Sequence, residues 1–283
     1  MTREYRFFLE TAHLEGKRAG DKLVLEDTDL IHQIKRVLRL SAQSREKVIF
    51  LDGREGIQAD CFLQGEESKK GKTIALEFLI EQFEKLDRES ESSPQISIYL
   101  PLIKAARFEF ALEKLTELGV DKIIPVTTKR TTPQSQQENK ERRWPLIIKE
   151  AAEQSERILL PHLSPVQSIK EAVQSLMPND QDTDKHIKGK DVLILRLAER
   201  SDAPNAVSLL YNLDFAEIHS LHIFMGPEGG LTDEEEASID DLAKTGKDVK
   251  KISLGKTILR AETAAMVAAG LARLAAGSHI MSK

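Results

Sequence analysis

Over the first eighty positions, apolar residues come in short runs separated by polar and turn-forming ones: Arg6–Leu9, Lys22–Leu25, Lys47–Leu51 before Asp52-Gly53, Gln58–Leu63 and Thr73–Phe78. Runs of this length and spacing predict the strands of a small β-barrel. One stretch breaks the pattern. After Asp27 and Asp29, residues Leu30, Ile31, Ile34, Val37 and Leu38 recur at helical spacing, with Lys35, Arg36 and Arg39 among them. The spacing leaves two readings of those cations open, a solvated face of a barrel-capping helix or a surface for an anionic partner.

Lys85 to Pro94 (KLDRESESSP) is charged, serine-rich and almost free of apolar residues, which marks it as a linker. The chain is therefore expected to divide into residues 1–84, a linker over 85–94 and a second domain over 95–283. In the second part strands and helices alternate. A strand at Ile96–Ile103 precedes a helix at Arg107–Leu118 with Gly119 as its C-cap, then a strand at Lys122–Val126 and a helix entered through Trp144-Pro145. A shorter helix at Ile169–Leu176, a polar loop and a strand at Val192–Leu197 follow, and then two further strands, Leu221–Met225 and Ile252–Leu254. This is the texture of an α/β domain with a largely parallel sheet.

The last two strands each run into a loop that carries candidate chemistry: Met225-Gly226-Pro227-Glu228-Gly229-Gly230-Leu231, and Ser253-Leu254-Gly255-Lys256-Thr257-Ile258-Leu259-Arg260-Ala261-Glu262-Thr263-Ala264. Ligands of such sheets bind beyond the strand C-termini. Three glycines and a proline in five residues suit a sharp turn that a ligand approaches closely. Thr232 and Glu235 form a capping box for the next helix, and Asp233, Glu234 and Glu236 add negative charge at its positive end. That acidity disfavours a polyphosphate on the turn and favours an uncharged nucleoside.

Composition narrows the function classes. The 283 residues are 40% hydrophobic and 31% charged, as in ordinary globular proteins, and the net charge of −5 confines any nucleic-acid surface to a local patch. A single cysteine, Cys61, excludes an intrachain disulfide and a cysteine zinc cluster and suits a reducing cytoplasm. No signal peptide or membrane span is expected. GEESKKGKT at Gly65–Thr73 has five residues between its glycines where a phosphate loop needs four, and no GxGxxG is present. His219 and His222 flank Leu221 with no further ligand implied, so they are expected to pack at a strand end rather than to bind metal. No motif supports nucleophilic catalysis.

The combination GPEGGLTDEE with SLGKTILRAETA resembles the signature of the SPOUT methyltransferases, and specifically of the RsmE family. The resemblance extends to Arg6-Phe7-Phe8, to His32–Leu40 with its RVLR, to Lys104–Arg107, to Leu115–Val120 (with Leu115 for the usual alanine) and to Glu150–Ser155; it departs at Lys256-Thr257. It implies a trefoil-knotted parallel-sheet methyltransferase domain behind an N-terminal PUA-like RNA-binding barrel, acting as a cytoplasmic homodimer in ribosomal RNA processing and ribosome biogenesis. The implied cofactor is S-adenosylmethionine, without metal, and the implied reaction is methylation of N3 of uridine 1498 in 16S ribosomal RNA of the small subunit. Cofactor contacts are expected from Leu197, Met225, Gly226, Pro227, Glu228, Gly229, Gly230, Ile252, Leu254, Gly255 and Leu259. RNA contacts are expected from Arg6, Lys35, Arg36, Arg39 and Lys104, some of them facing the partner subunit's cofactor.

Such a transfer needs the reactants in line, removal of the uracil N3 proton and stabilisation of the resulting anion. Arg260, a permanently charged donor fork, is the candidate for the anion, with an ion pair to Glu262 as the structural alternative. Glu228 and Glu262 are the carboxylates on the two loops, and Glu262 is named with Arg260 as catalytic. Two other functions remain open: a SPOUT enzyme for another target, such as a ribose 2′-hydroxyl, and a non-catalytic RNA-binding protein of the same fold.

Overall fold

The computed structural model describes residues 4–86, 94–131, 141–178, 191–199 and 203–281, with side chains as far as residue 277. Two compact units emerge: Met1–Arg88 with Ala152–Leu160, and Glu89–Ala151 with Pro161–Lys283. Most of the expected linker, residues 87–93, lies outside the described residues.

The first unit runs β1 (Glu4–Phe8), α1 (Thr11–Leu14), β2 (Lys22–Leu25), α2 (Thr28–His32), a π turn (Gln33–Val37), β3 (Lys47–Leu51), β4 (Ile57–Lys69) and β5 (Lys72–Lys85). Its five-stranded sheet has the order β1-β3-β4-β5-β2, antiparallel except between β1 and β3. The uninterrupted apolar run of β3 is explained by cover on both faces. Val48 and Phe50 join the larger core, where the Phe50 ring meets Phe78 edge-on at 5.0 Å; Ile49 and Leu51 pack with Phe8, Ala152, Ile158 and Leu160. The Ala152–Leu160 segment is thus part of this unit, although the sequence places it within the second domain. Its attachment includes a hydrogen bond from Phe8 N to Glu153 Oε1 (3.1 Å) and one from Leu160 N to Gly53 O (2.9 Å).

One expectation changes here. The helix predicted through Leu38 is α-helical only to His32 and then widens into the π turn. The extra residue rotates later positions off the 3.6-residue face, so Ile34 is buried while Val37 is 65% exposed. The rejected phosphate-loop stretch, Gly65–Thr73, is the end of the β4–β5 hairpin. Lys70 and Gly71 both have positive φ (52° and 75°), the geometry of a two-residue turn that matches strand twist.

The second unit contains β6 (Gln95–Pro101), α3 (Ala105–Glu117), β7 (Lys122–Thr127), most of α4 (Trp144–Gln154), β8 (His162–Leu163), β9 (Gln167–Ser168), α5 (Ile169–Gln174), β10 (Val192–Leu197), α6 (Ala206–Tyr211), β11 (Ser220–Phe224), α7 (Asp233–Asp240), β12 (Asp248–Ile252) and α8 (Ala261–Met281). The sheet order is β12-β10-β11-β6-β7-β8, with β9 also on β7, and every pairing is parallel. The α/β class with a parallel sheet therefore stands. The last strand is Asp248–Ile252 rather than Ile252–Leu254. Among the described residues it pairs only with β10, and as an edge strand it tolerates the polar residues that hid it from an apolar-run reading.

His219 is largely exposed at the start of β11, whereas the ring of His222 lies against Tyr99, whose hydroxyl is 3.1 Å from Nδ1. No group of three or more His, Cys, Asp or Glu side chains among the described residues could hold a metal ion. Burial, with Lys122 and Lys247 nearby, lowers the His222 pKa to about 4. An imidazole depressed in the folded state takes up its proton on unfolding. Its neutral form therefore contributes full stability above the unfolded value of about 6.5, and that contribution is lost as pH falls towards 4. We expect up to about 3 kcal/mol to be lost across this window, and the loss to shrink in His222→Gln; equal pH dependence of the two denaturation midpoints would contradict it.

Candidate functional site

The loops after β10, β11 and β12 converge at the C-terminal ends of three adjacent parallel strands and enclose a pocket. Leu197, Ala198 and Glu199 line it after β10; Met225, Gly226, Gly230 and Leu231 after β11; Leu254 to Leu259 after β12. Glu236 from α7 and Ala261 and Ala264 from α8 complete the wall. Small and aliphatic groups dominate, with Glu199, Glu236 and Lys256 as the charged members.

The turn after β11 is held by backbone contact. A Cβ on Gly226 would lie 2.8 Å from Gly230 C and Leu231 N, so the first glycine must stay bare for the turn to close on itself. Gly230 adopts φ 71° and donates to Pro227 O at 2.8 Å. Space at Gly230 is ordinary, with nothing nearer than 3.7 Å to a Cβ, so a side chain there is opposed by the backbone angle rather than by crowding. The capping box forms as predicted: Thr232 Oγ1 accepts from Glu235 N, and Glu235 Oε2 accepts from Thr232 N at 2.9 Å. The second loop is anchored by Ser253, whose N–H donates to Pro204 O and whose carbonyl accepts from Ala206 N, both at 2.9 Å.

Of the residues expected at the cofactor, Leu197, Met225, Gly226, Gly230, Leu254, Gly255 and Leu259 line this pocket. Pro227, Glu228, Gly229 and Ile252 do not; Ile252 is buried within its strand, and Glu228 turns to Arg107 on α3, which donates to its Oε1 at 3.0 Å. Ala198, Glu199, Leu231, Glu236, Lys256, Thr257, Ile258, Ala261 and Ala264 belong to the wall without having been singled out. Their signal was adjacency to the expected residues, and for the two alanines a small side chain on the inner face of a helix start.

An ionic cluster around one buried arginine adjoins Glu236 of the wall. Arg196, 2% exposed on β10, donates from Nε and NH2 to Asp240 (2.8 and 2.7 Å), and its NH1 lies 2.8 Å from Glu236 Oε2. Burial opposes the guanidinium charge, but Asp240 and Glu236 outweigh it and hold the pKa above its ordinary value. One arginine inside the apolar run VLILRL was the sequence signal for it.

Arg260 is exposed at the start of α8 and makes no ion pair with Glu262 among the described residues, so the structural alternative for that arginine is absent. Glu262 is 6% exposed instead, with Oε1 3.7 Å from Arg107 Nε and Oε2 without a hydrogen-bond partner among the described residues. Arg107 therefore bridges a carboxylate of each loop. Among the residues expected at RNA, Arg36, Arg39 and Lys104 are exposed. Arg6 pairs with Glu4 (3.8 Å) and Glu156 (3.6 Å), and Lys35 with Glu66 (2.8 Å).

Because its Cβ meets backbone rather than a movable side chain, Gly226→Ala is expected to cost about 1–3 kcal/mol of stability and to disrupt the pocket. A denaturation midpoint equal to the parent's would contradict the packing described.

Residues 90–273 match the RNA methyltransferase domain family. The chain is 31% identical over 266 residues to ribosomal RNA small subunit methyltransferase E of Bacillus subtilis, covering 93% of each protein, and 31% identical over 264 residues to the enzyme of that name from Rickettsia conorii, covering 92% of each. The crystal structure of the Neisseria gonorrhoeae ribosomal RNA small subunit methyltransferase E bound to S-adenosylmethionine superposes with a TM-score of 0.71 at 25% identity, over 94% of this chain and 95% of that one. With a glycine-turned pocket at the ends of β10, β11 and β12 and this likeness along nearly its whole length, the chain belongs to the ribosomal RNA small subunit methyltransferase E family, within the RNA methyltransferase domain family.

Proposed function

We propose that the protein is an S-adenosylmethionine-dependent methyltransferase that modifies N3 of uridine 1498 in 16S ribosomal RNA. The observation that carries this reading is the pocket formed by the two glycine-bearing loops, in a chain whose relatives are named for that class of reaction. The residues present fit the cofactor. Gly226 and Gly230 leave backbone exposed at the wall, and Leu197, Leu254, Leu259, Ala261 and Ala264 offer apolar surface for a planar base. Asp233, Glu234, Glu235 and Glu236 crowd the first turn of α7, which repels a phosphate chain but tolerates a ligand bearing positive charge.

When bound, the cofactor supplies a methyl group on a sulfonium; the N–CH3 bond forms as the S–CH3 bond breaks, and the uracil N3 proton leaves to a base. The chain's part is to hold the reactants in line and to answer the anion spread over uracil O2 and O4. Arg260, exposed on the second loop and without an ion pair among the described residues, is assigned to that anion. Glu262 is assigned a place beside it, where its ion pair with Arg107 draws the start of α8 towards the Glu228 loop.

The finer architecture belongs to the same reading: a trefoil knot in the parallel-sheet unit, a PUA-like RNA-binding barrel in the first, a homodimer and a cytoplasmic location. Val267 and Leu274, exposed on the apolar α8, support the dimer. Among the described residues no helix is long and apolar enough to cross a membrane. Exposed Arg36 and Arg39 at the π turn support an RNA contact, with Arg6, Lys35 and Lys104 as further cations.

The deciding experiment is mass analysis of ribosomal RNA nucleosides after incubation with the protein and labelled S-adenosylmethionine. N3-methyluridine is expected; a ribose-methylated nucleoside or no product would overturn the assignment. Arg260→Ala should leave cofactor and RNA affinities within a few-fold while lowering the single-turnover rate by about a hundredfold or more. Lost cofactor binding with a near-normal rate at saturation would instead make Arg260 a structural residue. Arg36→Ala with Arg39→Ala should weaken RNA binding and reduce its dependence on salt by about one to two phosphate contacts; an unchanged salt slope would return these cations to plain solvation.

A further inference from the structure

The loop that follows β7 reaches the outside of the Gly226–Leu231 turn, and it is built for the purpose. Thr128 and Thr131 close it, with Thr128 N donating to Thr131 Oγ1 (2.9 Å) and Thr131 N to Thr128 O (3.1 Å). Lys129 N donates to Glu235 Oε1 at 2.7 Å, which joins this loop to the carboxylate that also closes the capping box of α7. Between these anchors stands Arg130. Its NH1 donates to Gly229 O at 2.7 Å and to Leu231 O at 3.1 Å, so one nitrogen ties the carbonyls on either side of Gly230. Its side-chain carbons pass 3.4 Å from the Cβ position of Gly229, a contact that a larger residue at 229 would obstruct.

We propose that Arg130 is a positioning residue for the cofactor turn: it fixes the peptide orientation around Gly230 from the side away from the ligand and so sets the pocket wall that Gly226, Gly230 and Leu231 present. Three features of the turn require such a clamp. Glycine at 229 and 230 leaves the backbone free to adopt many conformations, and that freedom costs binding energy unless it is removed beforehand. Gly230 N is committed to Pro227 O, and with Arg130 holding the Gly229 and Leu231 carbonyls three backbone groups of the turn are fixed by protein partners. A charged donor strengthens both bonds relative to a neutral one. The rest of the guanidinium is exposed and has no acidic partner among the described residues, so the clamp is not a by-product of an ion pair.

The cofactor arm of the test rests on the function proposed above; amide exchange tests the clamp without it. In the free protein, Arg130→Ala should speed hydrogen exchange at Gly230, whose N–H donates to Pro227 O within the clamped turn, by about tenfold or more while the melting temperature stays close to the parent's. Its dissociation constant for S-adenosylmethionine should rise by about tenfold or more, with the single-turnover rate at saturating cofactor within about threefold. Arg130→Lys, which keeps a charged donor on a long stem, should recover part of both effects. Unchanged exchange at Gly230 would overturn the proposal. So would unchanged cofactor affinity with weakened RNA binding, which would make Arg130 a phosphate contact, or losses that simply follow a lowered melting temperature and that lysine does not rescue. A parent protein that fails to bind S-adenosylmethionine would sink the proposed function and leave the clamp to be decided by exchange.

Discussion

Gly226 sits so near the Gly230–Leu231 peptide that a Cβ on it would meet that backbone at 2.8 Å, and the pocket depends on this close approach. The contact lets the chain leave β11, reverse and enter α7 within a handful of residues, so the strand end and the helix start share one wall. Everything around the turn serves to hold this shape: the Thr232–Glu235 box on the helix side, Arg130 outside, and Arg107 spanning from Glu228 to Glu262 on the second loop. A turn of this kind has little stability of its own. Its order is borrowed from rigid neighbours, as is usual for binding loops carried on a sheet.

Charge is distributed with the same economy. The acidic first turn of α7 is favoured by the helix dipole and partly answered by Arg196 beneath it, so a cluster of carboxylates coexists with a stable helix start. A buried guanidinium on a central strand costs desolvation, which is offset only because Asp240 receives it in a two-bond fork and Glu236 approaches its third nitrogen. Glu236 is thereby fixed at the pocket.

Apolar periodicity revealed the elements whose faces are covered: β3, β6, β10 and β11 are mostly apolar because both faces are packed, and α3 shows its stripe because one face is. It was silent where a strand has one neighbour or none beyond its hairpin, hence the misplaced β12 and the underestimated lengths of β4 and β5. The two pocket loops could be read from their glycines and capping residues, since those residue types answer local backbone demands. Arg130 and Arg107 could not, because each acts on residues dozens of positions away, and Arg196 showed only as an interruption of an apolar run, its partners being equally remote. The π turn likewise gives no periodic signal, only a departure from one.

The assignment of Ala152–Leu160 to the first unit has a consequence for how the chain acquires its structure as it is made. Ile158 and Leu160 cover Ile49 and Leu51, so that face of the first sheet stays bare until the ribosome has synthesised some seventy residues beyond β5, including β6, α3 and β7. An early, self-sufficient amino-terminal unit is therefore not available to the nascent chain. Its apolar face is completed only when a segment interrupting the next unit arrives to close it. The two units are then linked through three chain crossings rather than one, which makes their completion during translation a joint event instead of two successive ones.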